Sequence, residues 1–311
     1  MCGDGANDCG ALKTADVGIS LSEAEASVAS PFTSAQADIS CVPKVIKEGR
    51  AALVTAFGLF KYMVLYSMTQ FFSTEVLYTY GTRLTDFEFL FIDGFLTLFT
   101  AFFFGQTRPY RGPLVERAPN ASLLSVIPVT SMLFQFLLMA LVQVACAQIV
   151  VHLPWSESHM MAYVNYAVYT VSQFQYLILA VTFSFGKPYR EPFTRNRWFF
   201  ITLMVQTVVC SYVTLYPWKY VEKLFELTLP PTIDFRLVIV ALALANFVAS
   251  IFLESFVVNY VLERILSSPK FHDLGKHPLK KRGQNKSELF VKTNGGYISQ
   301  IEVKSYGTMR S

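Results

Sequence analysis

The chain has 311 residues, 53% of them hydrophobic and 28 of them phenylalanine, with a formal net charge of +4 and a mean hydropathy of +0.39. That length allows about two ordinary domains, but such apolar content excludes a soluble protein and leaves a multi-span membrane protein. No nucleic-acid partner is expected, and Cys2, Cys9, Cys41, Cys146 and Cys210 lack the spacing of a disulfide framework or a zinc site.

The chain begins with Cys2-Gly3-Asp4-Gly5-Ala6-Asn7-Asp8. Two carboxylates four residues apart, with glycines flanking the first, suit a tight strand-to-helix turn where backbone amides and acidic oxygens meet. Magnesium favours hard oxygen ligands of this kind, although glycine and aspartate also fill ordinary turns. Beyond the turn, residues 1–50 read as a piece of an α/β domain. A short helix is expected over Asp8–Thr14, a strand over Asp16–Leu21 and a second short strand near Asp38–Cys41. So small a piece buries too little apolar surface to stand alone, and the chain reads as truncated at its N-terminus. From Val45 to Lys61 the pattern turns helical, with Lys47, Glu48 and Arg50 on it, and runs directly into apolar sequence as a stalk would.

A bilayer-crossing helix needs about 20 apolar residues. Suitable windows occur at 54–80, 87–104, 123–151, 160–185, 198–216 and 235–261, which predicts six transmembrane helices. On the first, Tyr66, Gln70 and Ser73 align. On the second, Phe89, Asp93, Thr97 and Thr100 fall in a narrow arc at 3.6 residues per turn. One polar stripe on each of two consecutive helices predicts a shared hydrophilic pathway. Elsewhere Gln135, Gln143, Asn165, Gln173, Gln206 and Asn246 are scattered and read as polar glue between helices.

Basic residues in short loops mark the cytosolic side. Arg108, Arg111 and Arg117 follow the second window, and Lys187, Arg190, Arg195 and Arg197 follow the fourth, whereas the alternate loops are charge-poor or balanced. Both termini are therefore expected in the cytosol. The last segment, 263–311, is polar and basic, with Lys280, Lys281 and Arg282, and is expected to lie partly disordered at a lipid surface.

The stretch from Met1 to Ser34 resembles the hinge region of P-type ATPases. Cys9-Gly10 stands where most such pumps have Ala-Pro, and this change together with Ser22-Glu23-Ala24-Glu25-Ala26-Ser27 is similar to subfamily 5B, whose members export polyamines from endosomes and lysosomes. The resemblance covers essentially the whole chain. It implies a mainly α-helical multi-span membrane domain over 51–262, preceded over 1–50 by a fragment of an α/β haloacid-dehalogenase-like phosphorylation domain. It further implies that Asp4 is a magnesium ligand, that Asn7 and Asp8 hold the phosphorylated aspartate loop and the transferring phosphate, and that Lys13 sits beside them on the following helix. In the membrane it implies that Tyr66, Gln70, Phe89 and Asp93 line a polyamine pathway. A carboxylate deep in a bilayer is costly and is kept for a function or a partner, and aromatic faces hold ammonium groups. ATP and Mg2+ are the expected cofactors, with the nucleotide domain outside these residues.

The sequence has no Asp-Lys-Thr-Gly phosphorylation loop and no Thr-Gly-Glu actuator motif. It is therefore expected to be the C-terminal part of a pump, inactive without the remainder. Two other readings stay open: an inorganic-cation pump, which usually gathers several carboxylates where this chain has Asp93, and a non-catalytic truncated membrane isoform that binds a partner.

Overall fold

The computed structural model describes residues 1–22, 27–36, 38–116, 118–120 and 122–256. The expected basic tail, Arg117, the Glu23–Ala26 part of the acidic run and the end of the sixth expected helix lie outside the described residues.

Three two-residue strands, β1 (Cys2–Gly3), β2 (Ile19–Ser20) and β3 (Phe32–Thr33), form a parallel sheet in the order β1-β2-β3. Cys2 pairs with Ile19, and Ile19 with Phe32. A single 3-10 turn at Ala6–Asp8 leads into α1 (Cys9–Thr14), which links β1 to β2 and seals the sheet with Leu12, 1% exposed. The expected strand at Asp16–Leu21 is present in its centre. The one expected near Asp38–Cys41 is not: the third strand forms at Phe32–Thr33 instead. At Asp38 the side chain accepts from the Ser40 amide at 2.8 Å, and bonding from Ser40 holds its carboxyl below the usual range. Asp38 and Ser40 thus favour a side-chain-closed turn, which competes with an extended ladder.

The turn delivers the chain into α2 (Cys41–Thr79), 39 residues without a break, so the expected stalk and first apolar window are one helix. Near its start Lys47 donates to the Gly112 carbonyl at 2.6 Å and Arg50 to that of Val115. Then come α3 (Asp86–Phe104), α4 (Val126–Val151), α5 (Met160–Ser184), α6 (Arg197–Leu215), the short α7 (Lys219–Leu224) and α8 (Ile233–Phe252), whose helical path continues to Phe256. Five of these, α2, α3, α4, α6 and α8 with its continuation, are long and apolar enough to cross a membrane by length and composition.

The helix expected over 160–185 forms as α5 but does not meet that standard, because its surroundings are protein. From Tyr163 to Ser184 every residue except Val181 is buried, and α5 packs against α2, α4, α6 and α8. A helix enclosed by helices can carry Asn165, Gln173 and Gln175 where a lipid-facing one would carry leucine. Side-chain amides tie the bundle around it. Gln143 donates to Ser73 Oγ at 2.9 Å and to Gln175 Oε1 at 2.8 Å, Gln175 to the Met139 carbonyl at 3.0 Å, and Gln135 to the Ser250 carbonyl at 2.9 Å.

Two cations, Lys61 largely enclosed and Arg190 fully buried, fix α2 against its neighbours. Lys61 bonds Glu254 at 2.8 Å and Ser131 Oγ at 2.9 Å, Ser131 donates to the other Glu254 oxygen at 2.7 Å, and the Lys61 ammonium lies 4.3 Å above the Phe183 ring. Arg190, read from the sequence as one of the basic residues of a cytosolic loop, has no exposed surface. It donates to Thr55 Oγ1 at 3.1 Å and to the Ser184 carbonyl at 2.9 Å, and lies 4.7 Å from the Phe104 ring centroid; burial pulls its guanidinium down to about 10.

Removing one partner of a buried ion pair strands the other charge and costs about 3–5 kcal/mol, while replacing both by apolar groups is close to neutral. Glu254→Ala is therefore expected to lower the melting temperature of the detergent-purified protein sharply. Lys61→Met with Glu254→Met should recover most of that loss; equal damage in both variants would contradict the pairing.

Candidate functional site

Two sets of polar residues are the candidates. The first is the acidic turn after β1. The chain leaves the strand at Gly3 and turns back so that Asp8 Oδ2 accepts from the Asp4 amide at 3.2 Å and, more loosely, from the Gly5 amide at 3.5 Å. A methyl at Gly3 would sit 2.6 Å from that oxygen, and one at Gly5 would collide with the Asn7 side-chain oxygen. Gly3 is thus required by close approach, since Asp8 Cβ also lies 2.8 Å from the methyl there, whereas at Gly5 the exposed Asn7 side chain could swing aside. The Asp8 carboxylate is committed to its own loop and shapes it, whereas Asp4 and Asn7 are exposed. Lys13 is also exposed, one helix turn further on. The four residues lie in one short segment, but no hydrogen bond joins Lys13 to the acids among the described residues.

Among those residues no group of three or more His, Cys, Asp or Glu side chains converges as a metal cage. Magnesium does not need one: it keeps several waters and uses one or two carboxylates with substrate phosphate. Asp4, an exposed carboxylate, fits that donor set as one ligand. Asp8 fits as the group that holds the loop.

The second set lies between α2 and α3. Asp93 Oδ1 accepts from the Tyr66 hydroxyl and from Gln70 Nε2 at 3.2 Å. The spacing explains the meeting, since positions 66 and 70 are one helix turn apart and face the same way. Oδ2 has no hydrogen-bond partner among the described residues, and Asp93 as a whole is exposed, so one oxygen is anchored while the other is open. The Tyr66 ring also packs on Tyr176 of α5, 5.6 Å between centroids. Phe89 stands one turn before Asp93, partly buried against the helical core, and makes no ring contact with Tyr66. Three of the four expected membrane residues therefore converge.

The expected four-residue stripe on α3 does not hold together. Residues Phe91–Leu98 form a π-helical stretch, wider than 3.6 residues per turn, so Thr97 and Thr100 turn into the protein while Asp93 faces out. Widening frees backbone carbonyls from their usual partners. Gln206 of α6 takes them up, donating to the Phe95 carbonyl at 2.6 Å and that of Leu96 at 3.1 Å while accepting from Thr100 at 2.9 Å. Gln206 thereby supports the segment that presents Asp93.

Sequence reasoning also missed Glu88. It is fully buried, accepts from the Thr85 amide at 2.7 Å and receives longer contacts from Asn165 at 3.4 Å. Thr85-x-x-Glu88 before an apolar run is a capping-box pattern, and that signal could have found it. Lys61 and Glu254 left a fainter one, opposite charges inside two apolar windows.

No family model matches the chain. Curated relatives do, among them three from different organisms. The polyamine-transporting ATPase 13A2 of Mus musculus is 44% identical over 264 residues, 82% of this chain and 22% of the relative. The probable cation-transporting ATPase catp-6 of Caenorhabditis elegans is 40% identical over 272 residues, 84% of this chain and 21% of the relative. The vacuolar cation-transporting ATPase YPK9 of Saccharomyces cerevisiae is 39% identical over 288 residues, 90% of this chain and 19% of the relative. The chain belongs with the type 5 P-type ATPases. It spans about a fifth of the length of these relatives and matches their C-terminal part. For a type 5 P-type ATPase the helical bundle is a multi-pass membrane domain, and the resemblance first carried by the Gly3–Asp8 turn extends through it.

Proposed function

We propose that the chain is the C-terminal portion of an ATP-driven pump that moves polyamines across an endosomal or lysosomal membrane. In this reading α2, α3, α4, α5, α6 and α8 make six spans, with both termini in the cytosol. Residues 1–50 end a phosphorylation domain of the haloacid-dehalogenase kind, 51–262 form the membrane domain and 263–311 a cytosolic tail. The nucleophilic aspartate, the nucleotide domain and the remaining spans belong to the rest of the pump.

The observation that carries the proposal is the Asp93 carboxylate, oriented by Tyr66 and Gln70 with one oxygen left open. A single anchored carboxylate beside the Tyr66 ring suits an ammonium group, which needs one opposite charge and a π face. A bare inorganic cation asks for many oxygen ligands to replace its water. The relatives named as polyamine transporters support the same choice.

At the other end Asp4 would hold Mg2+, which supplies charge neutralisation on a transferring phosphoryl group. Asp8 fixes the loop that presents Asp4, and Asn7 and Lys13 offer exposed polar contacts beside it. ATP would bind on the missing nucleotide domain, so these residues alone should not turn over.

The test uses the full-length protein reconstituted in lipid vesicles. Spermine is expected to stimulate ATP hydrolysis, with potassium and calcium ineffective. Stimulation by an inorganic cation alone would move the reading to an inorganic-cation pump. Absence of any phosphoenzyme in the full-length chain would favour a non-catalytic membrane subunit.

A further inference from the structure

A recess of about 690 Å3 opens between the end of α3, the segment 191–196 and the start of α6. Arg108, Arg111, Arg195 and Arg197 line it, with Glu191 and Trp198. Four guanidinium groups from two stretches of chain, 106–111 and 191–198, thus surround one concavity that holds one carboxylate. Glu191 is only 6% exposed and pairs with Arg111 at 2.9 Å and Arg195 at 3.8 Å, which orients those two side chains without neutralising the recess. The side chains of Arg108 and Arg197 have no hydrogen-bond or ion-pair partner among the described residues. Their charge is available.

The position says which anion would come. Arg197 is the first residue of α6, one of the helices apolar enough to cross a membrane, so the recess lies where that span meets the surface. Trp198 is 63% exposed and stacks on Phe103, 6.3 Å between centroids, in the manner of an interfacial tryptophan at headgroup depth. Basic pockets between membrane helices at that depth receive lipid headgroups, and arginine forks match phosphate oxygens two at a time.

We propose that this recess is a binding site for the phosphate of an anionic phospholipid headgroup, clasped by Arg108 and Arg197 with Arg111 and Arg195 held in place by Glu191. The site depends on the membrane placement of α6 and not on what the pump carries. It differs from ordinary positive loop charge because it requires particular arginines around one recess.

The test is made on the full-length protein in phosphatidylcholine nanodiscs doped with phosphatidic acid or phosphatidylserine, by counting anionic lipid retained on the protein after detergent extraction. Wild type should retain at least one of the two. Arg108→Gln with Arg197→Gln should retain about thirty-fold less, from the weight of two arginines near a charged surface, with unchanged melting temperature, since neither side chain has a structural partner. Lys44→Gln with Lys187→Gln removes the same charge elsewhere and should retain lipid as wild type does. Equal loss in both double variants would overturn the proposal by reducing the effect to overall charge. Full retention in the arginine variant would overturn it directly, and so would displacement of the lipid by millimolar inorganic phosphate, which would make the ligand a soluble anion.

Discussion

In the full-length pump, Asp93→Asn is expected to abolish polyamine-stimulated ATP hydrolysis, with a fall in kcat/KM of about a hundredfold or more. Asparagine keeps the size of the side chain and one oxygen for Tyr66 and Gln70, so the change removes charge and little else. Truncating one side of a desolvated charge pair costs about 2–5 kcal/mol, and the ammonium group would be the side left unpaired. The two orienting residues should give smaller, graded losses. Tyr66→Phe deletes a hydrogen bond to a charged acceptor, worth about 1.5–3 kcal/mol, while Gln70→Ala deletes the 3.2 Å bond and leaves the tyrosine in place. The ordering Asp93 > Tyr66 > Gln70 in spermine-stimulated turnover is the result to check. Stimulation unchanged in Asp93→Asn would retire the site.

Asp4→Asn should eliminate phosphoenzyme formation, measured as radiolabel transferred from ATP to the full-length protein, by about a thousandfold or more. A metal-held charge on a transferring phosphoryl group is worth several kcal/mol, and an amide oxygen is a much poorer magnesium ligand than a carboxylate. Gly3→Ala offers an independent route to the same loss. It changes no ligand, but its methyl would press on the Asp8 carboxylate, 2.6 Å from Oδ2 and 2.8 Å from Cβ, and so disturb the loop that presents Asp4. Normal labelling in both variants would separate this turn from phosphoryl transfer. Because the turn and the Asp93 site are far apart in the sequence, loss of labelling with Asp4→Asn but not with Asp93→Asn would also separate chemistry from substrate handling.

Much of this arrangement was legible in the residues. The apolar windows predicted every long helix to within a few residues at most described ends, because length and hydropathy are written locally. Tyr66, Gln70 and Asp93 were legible as polar residues in apolar sequence, and the structure joins them. Other features depend on contacts that no local pattern encodes. The π-helical stretch at Phe91–Leu98 relies on Gln206, more than a hundred residues later, to donate to its freed carbonyls. Arg190 reads as loop charge until Thr55 and Phe104 enclose it. The third strand was misplaced because Phe32–Thr33 is too short to display alternation, while Asp38–Cys41 looks extended until Ser40 closes its turn.

The unbroken course of α2 has a mechanical consequence. At 1.5 Å per residue it is a rod of about 58 Å, bound near its middle by Arg190 at Thr55 and Lys61 at Glu254. Taken as a lever pivoting at Thr55, it has an arm of about 21 Å back to Cys41 and one of about 16 Å forward to Tyr66. Arms so nearly equal transmit displacement with little gain or loss. A shift of about 2 Å imposed at the Cys41 end would carry the Tyr66 hydroxyl about 1.5 Å the other way, enough to break its hydrogen bond and release the second oxygen's anchored twin on Asp93.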